Sequence, residues 1–409
     1  MIEARLPGLL AGIVEDVDDV EEMGGTPLIR AAWTAGRVRR RRRMLVTVAA
    51  AVIAAGTVCV SAVVAVRDVG GSPPASRRDR SAAPSVPASA ASVTTAPAPA
   101  GESALPVLET PFAALTGLPM TAPGLSTAPL PRVAAAAQRP HGPVLLLAPD
   151  GSWRQVDSTW MTAAGTTVGS TVVPVLSSRS ISPDGRTLAL TVPGAVVLVD
   201  VRTGKARRLP VDGPTGRALE TASWLPDGAH VVTGGDAGTV VVSTVDGVVR
   251  PATYLSDDVA SGHGGDPVVE LTGSTIVIHD PGSAPAQVPL RQDPRIKPDQ
   301  WYGATWINHG RIARTTFQAG SAEQAVVVID TTTGRITHAI ELTYGQPVAR
   351  SQGCCATLGW LNDQTVLLRD GGQLLGWRPA TGTLFRIARL PSASSPGADA
   401  ADIVIAMMP

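Results

Sequence analysis

The chain has 409 residues, a formal net charge of zero and only three cysteines. The length allows two or three structural units. The charge balance supplies no global field for nucleic acid, and the cysteine count excludes a disulfide-built scaffold. The basic residues are almost all Arg, and Ala, Val, Pro and Gly are abundant, a composition typical of a high-GC bacterium. Charge is segregated along the chain rather than spread over it.

Residues 1–43 form the first segment. Leu10, Ile13, Val14, Val17 and Val20 recur at helical spacing, with Glu15, Asp16, Asp18, Asp19, Glu21 and Glu22 between them. The pattern predicts a short acidic amphipathic helix after Pro7, a residue tolerated in a first turn. Such a helix is marginal alone. Two readings stay open: a solvated acidic tail, or a docking helix in residues 1–25 that folds onto a cytoplasmic protein. Gly24-Gly25 ends it, and Arg39, Arg40, Arg41, Arg42 and Arg43 follow as a basic cluster.

Residues 44–66 read MLVTVAAAVIAAGTVCVSAVVAV, 23 residues without a charge or a proline. A bilayer core of ~30 Å takes about 20 apolar residues in a helix, so this stretch predicts one transmembrane helix. The Arg cluster before it marks the cytoplasmic side and would attract anionic lipid. A cleaved signal peptide is the rival reading, but its apolar core would be shorter and its leader brief. The expectation is an uncleaved signal-anchor, with the lipid bilayer as partner and everything after residue 66 extracytoplasmic.

Residues 67–131 read as a linker. Up to about residue 103 it is rich in Pro, Ala, Ser and Thr, cannot bury a core, and should stay extended and mobile. Residues 105–131 carry Leu, Phe112 and Met120 and can lie along the next domain.

From 132 to 409 the texture is all-β. Short Val/Leu/Ile/Thr runs alternate with Gly, Pro, Asp or Asn, for example Val144–Leu147, Thr187–Val192 and Ala195–Val199. Gly turns recur at Gly151, Gly204, Gly247, Gly282, Gly334 and Gly382, spaced 53, 43, 35, 52 and 48 residues. A second turn, Ser182-Pro183-Asp184-Gly185, returns as Leu225-Pro226-Asp227-Gly228, 43 residues on. In the clearest unit four strands can be drawn over 173–180, 186–192, 195–201 and 206–211. Four strands every 40–50 residues or so is the blade period of a β-propeller. Six turns point to six blades, and the uneven spacing allows seven. The late apolar run Ile403-Val404-Ile405-Ala406 is placed to pair with residues near 132–148 and close the ring.

The stretch ISPDGRTLALTVPGAVVLVDVRTGKARRLPV, residues 181–211, resembles a blade of the WD40-like and TolB-like β-propellers, with weaker echoes at 224–250, 325–341 and 359–389. No Trp-Asp pair occurs, and the single Gly-His pair, Gly262-His263, does not recur. The likeness is therefore to TolB-like blades, and it implies a fold rather than an activity.

No HExxH, CxxC or Gly-x-Ser-x-Gly motif is present, so the expected metal, cofactor and catalytic sets are empty. Binding residues are expected on the connections between blades, where rigid scaffolds carry function. These are 251–266 with Asp257, Asp258, His263 and Asp266, 291–303 with Arg295, Trp301 and Tyr302, and 343–353. Cys354-Cys355 reads as two buried thiols, a strained vicinal disulfide or an intermolecular bridge.

The preferred reading is a non-enzymatic, membrane-anchored extracytoplasmic propeller that binds a ligand or a protein, with no nucleic-acid partner. The alternatives are a transmembrane regulator, whose layout resembles actinobacterial membrane anti-sigma factors without their zinc motif, and a propeller hydrolase or lyase.

Overall fold

A computed structural model describes residues 90–407 apart from 98, 140–141, 158–165, 169–170, 214–218, 236–237, 257, 280–282, 320–323, 343–354, 371 and 391–403. The chain divides at Ser89/Ala90, and all described residues belong to the second unit. The expected acidic helix, Arg cluster and membrane span of residues 1–66 lie outside the described residues. Among those described, no helix is long and apolar enough to cross a membrane.

The fold is an all-β propeller. Its sheets are antiparallel meanders of consecutive strands, such as Thr221–Trp224, His230–Gly235, Gly238–Ser243 and Val249–Pro251. Apolar faces of neighbouring sheets meet and form the core. One cluster joins Val144 and Leu146 to Leu188, Leu190 and Val197, and another joins Trp306 and Val326 to Trp360, Val366 and Trp377. The Pro-Asp-Gly turns are built locally. Asp184 Oδ1 accepts from Arg186 N at 3.0 Å, and Asp227 Oδ1 accepts from Ala229 N at 2.9 Å and His230 N at 3.0 Å.

The sheets are less regular than six or seven equivalent four-stranded blades. Among the described residues there are one six-stranded, three four-stranded, two three-stranded sheets and one two-stranded hairpin. Gly turns mark hairpins, and strands can be added to or lost from a sheet without changing their number. The first strand expected over 173–180 is not a regular strand: Ala189 N donates to Ser180 O at 2.8 Å and Thr191 N to Val175 O at 3.0 Å, and the one bridge to the next strand among the described residues is Ile181 to Leu188. Ala260–Gly262 pairs in parallel with the strand Pro298–Asn308, and so joins the neighbouring sheet.

The ring closes as expected. The C-terminal strand Val404–Met407 pairs antiparallel with Ala135–Gln138 and becomes the first strand of a sheet completed by Val144–Leu147 and Trp153–Gln155. Ile405 and Met407 enter one apolar cluster and Ala406 enters the next.

Residues 90–131, assigned to the linker on composition, belong to the folded unit as a strap along the outer strands. Ser92–Thr95 pairs in parallel with Ile336–Leu342, Val107 bridges to Arg386, and Gly124 bridges to Gln155. Leu130 N then donates to Val201 O at 2.9 Å. Phe112, Leu115, Leu118 and Leu125 of the strap are buried against the ring. A Pro/Ala-rich chain cannot make a core of its own, but it can cover sheet edges that would otherwise stay unpaired. The strap starts where Ala91 N donates to Asp293 Oδ2 at 2.6 Å. Burial pushes the Asp293 carboxyl up, but backbone donors from Ala91, Arg295 and Ile296, with the Arg295 charge, outweigh it and hold the group below its usual range.

Candidate functional site

In an antiparallel meander, the turn from first to second strand opens on one rim of the ring. The connection from one sheet to the next opens on the other. This geometry separates the residues expected to act together. Asp258 and Arg295 lie on connections between sheets, and Asp257 falls outside the described residues. His263 and Asp266 lie on the first turn after Ala260–Gly262, on the opposite rim.

Asp258 and Trp301, expected on exposed connections, are buried, and Tyr302 is half-buried beside Trp301. Asp258 is buried, and its Oδ1 accepts from Arg314 Nη2 at 2.9 Å, with side chains 4% and 1% exposed. Arg314 Nη1 donates to Leu271 O at 2.8 Å, and its guanidinium carbon stands 6.0 Å from the centre of the Trp301 ring. Trp301 is buried and donates its Nε1–H to Gly273 O at 2.6 Å. Trp301 and Tyr302 belong to the long strand Pro298–Asn308 rather than to a loop, since aromatic side chains favour a pleated, packed surface. Tyr302 is half-buried, with its ring 5.8 Å from that of Phe317. Arg295 remains exposed, and its backbone N–H serves Asp293 Oδ1 at 2.8 Å. Cys354 and the stripe Leu10, Ile13, Val14, Val17 and Val20 lie outside the described residues.

His263 and Asp266 meet residues that local sequence reasoning did not single out. The parallel pairing of Ala260–Gly262 with Thr305–Ile307 brings their turn beside the His309-Gly310 turn. Asp266 Oδ1 accepts from His309 N at 3.0 Å, and His309 Nε2 lies 3.2 Å from Asp363 Oδ1 on the next first turn. Arg311 Nη2 donates to Asp363 O at 2.6 Å, with its guanidinium carbon 4.9 Å over the Trp360 ring. Three successive turns of one rim are thus joined through His309.

Two features set this rim apart. His309 has φ 47°, the only non-Gly residue with positive φ among the described residues. Backbone strain of this kind costs on the order of 1–3 kcal/mol and persists where the surroundings demand it. Beside it Asn308 is buried, and neither its Oδ1 nor its Nδ2 has a hydrogen-bond partner; Asp266 Oδ2 also lacks one. Burial pushes the Asp266 carboxyl above its usual range, and the His309 N–H with the His309 and His263 rings counter this only in part. At the surface the rim presents the exposed His309–Asp363 imidazole–carboxylate pair, while Asp266 Oδ2 and the Asn308 amide lie buried behind it with unmet polar capacity. No three His, Cys, Asp or Glu converge on a metal site among the described residues. The signal that could have found the site is Asn308-His309-Gly310, a polar pair closing an apolar strand, but nothing in it points to Asp266.

No family model and no curated protein sequence matches the chain. Solved structures do resemble it. Virginiamycin B lyase from Staphylococcus aureus, in a catalytically inactive form with quinupristin, is 12% identical with a TM-score of 0.38, over 60% of this chain and 77% of the other. Kuenenia stuttgartiensis hydrazine synthase is 17% identical with a TM-score of 0.37, over 56% and 71%. The extracellular domain of a one-component system from B. thetaiotaomicron is 14% identical with a TM-score of 0.34, over 55% of this chain and 29% of that one.

Proposed function

We propose that this chain is a membrane-anchored extracytoplasmic binding module, without catalysis of its own, whose propeller takes a protein or ligand at the rim of His263, Asp266, His309 and Asp363. The observation that carries the reading is His309. His309 has a strained backbone, donates its main-chain N–H to Asp266 and holds its exposed imidazole against Asp363, next to a buried amide with no partner. Such strain and unmet polar capacity collect at binding sites. The anchor rests on residues 44–66 and the arginines before them.

The regulator reading adds a partner at residues 1–25 and is favoured by one observation. The stripe Leu10, Ile13, Val14, Val17 and Val20 has too little length to be stable unpartnered.

The test is capture from native envelope with wild-type chain and with His309→Ala, alongside a reporter fused after Pro409. The reporter is expected to be active only outside the cytoplasm. The envelope partner is expected to be lost with His309→Ala while the circular dichroism spectrum is kept. A cytoplasmic reporter overturns the topology, and unchanged capture overturns the rim. Unchanged capture and transcription after deletion of residues 1–25 remove the regulator reading.

A further inference from the structure

The strap covers the ring unevenly. It pairs with the outer strands Ile336–Leu342, Thr383–Arg389 and Trp153–Gln155 and reaches Val201, but among the described residues it pairs with neither Val249–Pro251 nor Ala286–Pro289, although Ala91 and Val93 share an apolar cluster with Val288. Those two outer strands follow one another in the chain and form one bare arc. The strap begins beside this arc, at Ala91 and Asp293, and winds away from it.

Large apolar side chains are exposed at the bare arc. Only five large apolar side chains are exposed among the described residues, and three are here: Val245 at 77%, Val248 at 42% and Val249 at 37%. Scattered exposed apolar residues need no explanation, but a cluster marks a contact. Arginines frame it. Arg207 donates through Nη1 to Val245 O at 3.0 Å and through Nη2 to Thr244 O, and Arg208 and Arg250 are exposed on the adjoining outer strands. Asp246, in the same turn, is the carboxylate among them.

We infer that this arc is a docking surface for an anionic lipid bilayer, with the three valines entering the headgroup boundary and the arginines meeting lipid phosphates. The inference rests on the anchor reading proposed above. Three valines fall well short of the ~800 Å² per partner of a stable protein interface, which argues against a second copy. Pro251 and Pro289 end the two bare strands, and strands so interrupted are poor templates for adding another chain. A lipid surface needs neither a large patch nor a free edge, only apolar side chains beside cations.

The experiment is hydrogen exchange on the full chain in nanodiscs of phosphatidylcholine, with and without phosphatidylglycerol. Residues 244–251 are expected to exchange about tenfold more slowly in the anionic discs than in detergent, while 383–389 is unchanged. Val245→Asp with Val249→Asp should abolish that protection, and Arg207→Gln with Arg250→Gln should restrict it to low salt. Equal exchange of 244–251 in anionic discs and detergent, with the chain held in the disc, overturns the inference and leaves the patch to a protein partner. If the chain does not enter discs, the anchor reading fails by itself. Flotation of the chain with anionic vesicles, wild-type against Val245→Asp with Val249→Asp, then decides the patch: a difference supports it and none overturns it.

Discussion

Glu102 on the strap and Asp370 at the end of the strand Thr365–Asp370 bury their carboxyl groups together, 3% and 5% exposed, with a hydrogen bond between them. Burial first, then the Asp370 charge and that hydrogen bond, push the Glu102 carboxyl up to about 8. Protonated Glu102 is thus the donor that fastens the strap to the ring beside its closure. The folded chain keeps a proton that the unfolded chain gives up near 4.5. The stabilisation is fully present below that value, declines as pH rises, and is gone by about pH 8. Glu102→Gln keeps a donor without the ionisation. Its Tm should match wild-type near about pH 5 and exceed it by about 3 °C or more near about pH 8.5. Parallel melting curves at both pH values would remove the shared-proton account.

Closure by Val404–Met407 predicts a sharp dependence on the C-terminus. A chain ending at residue 403 lacks the strand that joins two core clusters, and it exposes the edge of Ala135–Gln138. Each fully buried apolar side chain contributes about 1.5–3 kcal/mol, and a bare apolar edge invites aggregation. Size-exclusion chromatography should show aggregated chain, with no cooperative unfolding transition. A monomeric, cooperatively unfolding product would show that the ring closes without this strand.

The Arg314–Asp258 pair is a third test. Arg314→Met leaves the Asp258 carboxylate buried without its guanidinium and should cost about 3–5 kcal/mol in urea unfolding. Adding Asp258→Leu should recover most of that loss, since an apolar pair can replace a buried ion pair. A loss below about 1 kcal/mol for Arg314→Met would mean that the pair behaves as a surface pair.

Local chemistry alone was enough for the all-β class and for the ring. The strands announced themselves because β-branched runs between Gly, Pro and Asp turns need only neighbours to form. The turn Ser182-Pro183-Asp184-Gly185 is closed by its own Asp184 and Ser182. The closing role of the last strand was legible because an apolar run too late to begin a blade has to pair with something. The strap was half legible. Leu, Phe112 and Met120 hinted that 105–131 touch the domain, but Ser92–Thr95 is too polar to advertise a strand.

Which residues meet was decided only by tertiary structure. Asp258 and Arg314 are 56 positions apart, Asp266 and His309 are 43, and Ala91 and Asp293 are 202. These contacts depend on the register of inner strands from neighbouring sheets, above all on Ala260–Gly262 lying parallel to Thr305–Ile307. Register between sheets is set by how apolar faces pack, and no local pattern carries it. For that reason Asp258, His263 and Asp266 looked alike in one polar connection. Packing then buried Asp258 against Arg314 and turned His263 and Asp266 to the opposite rim, with His309.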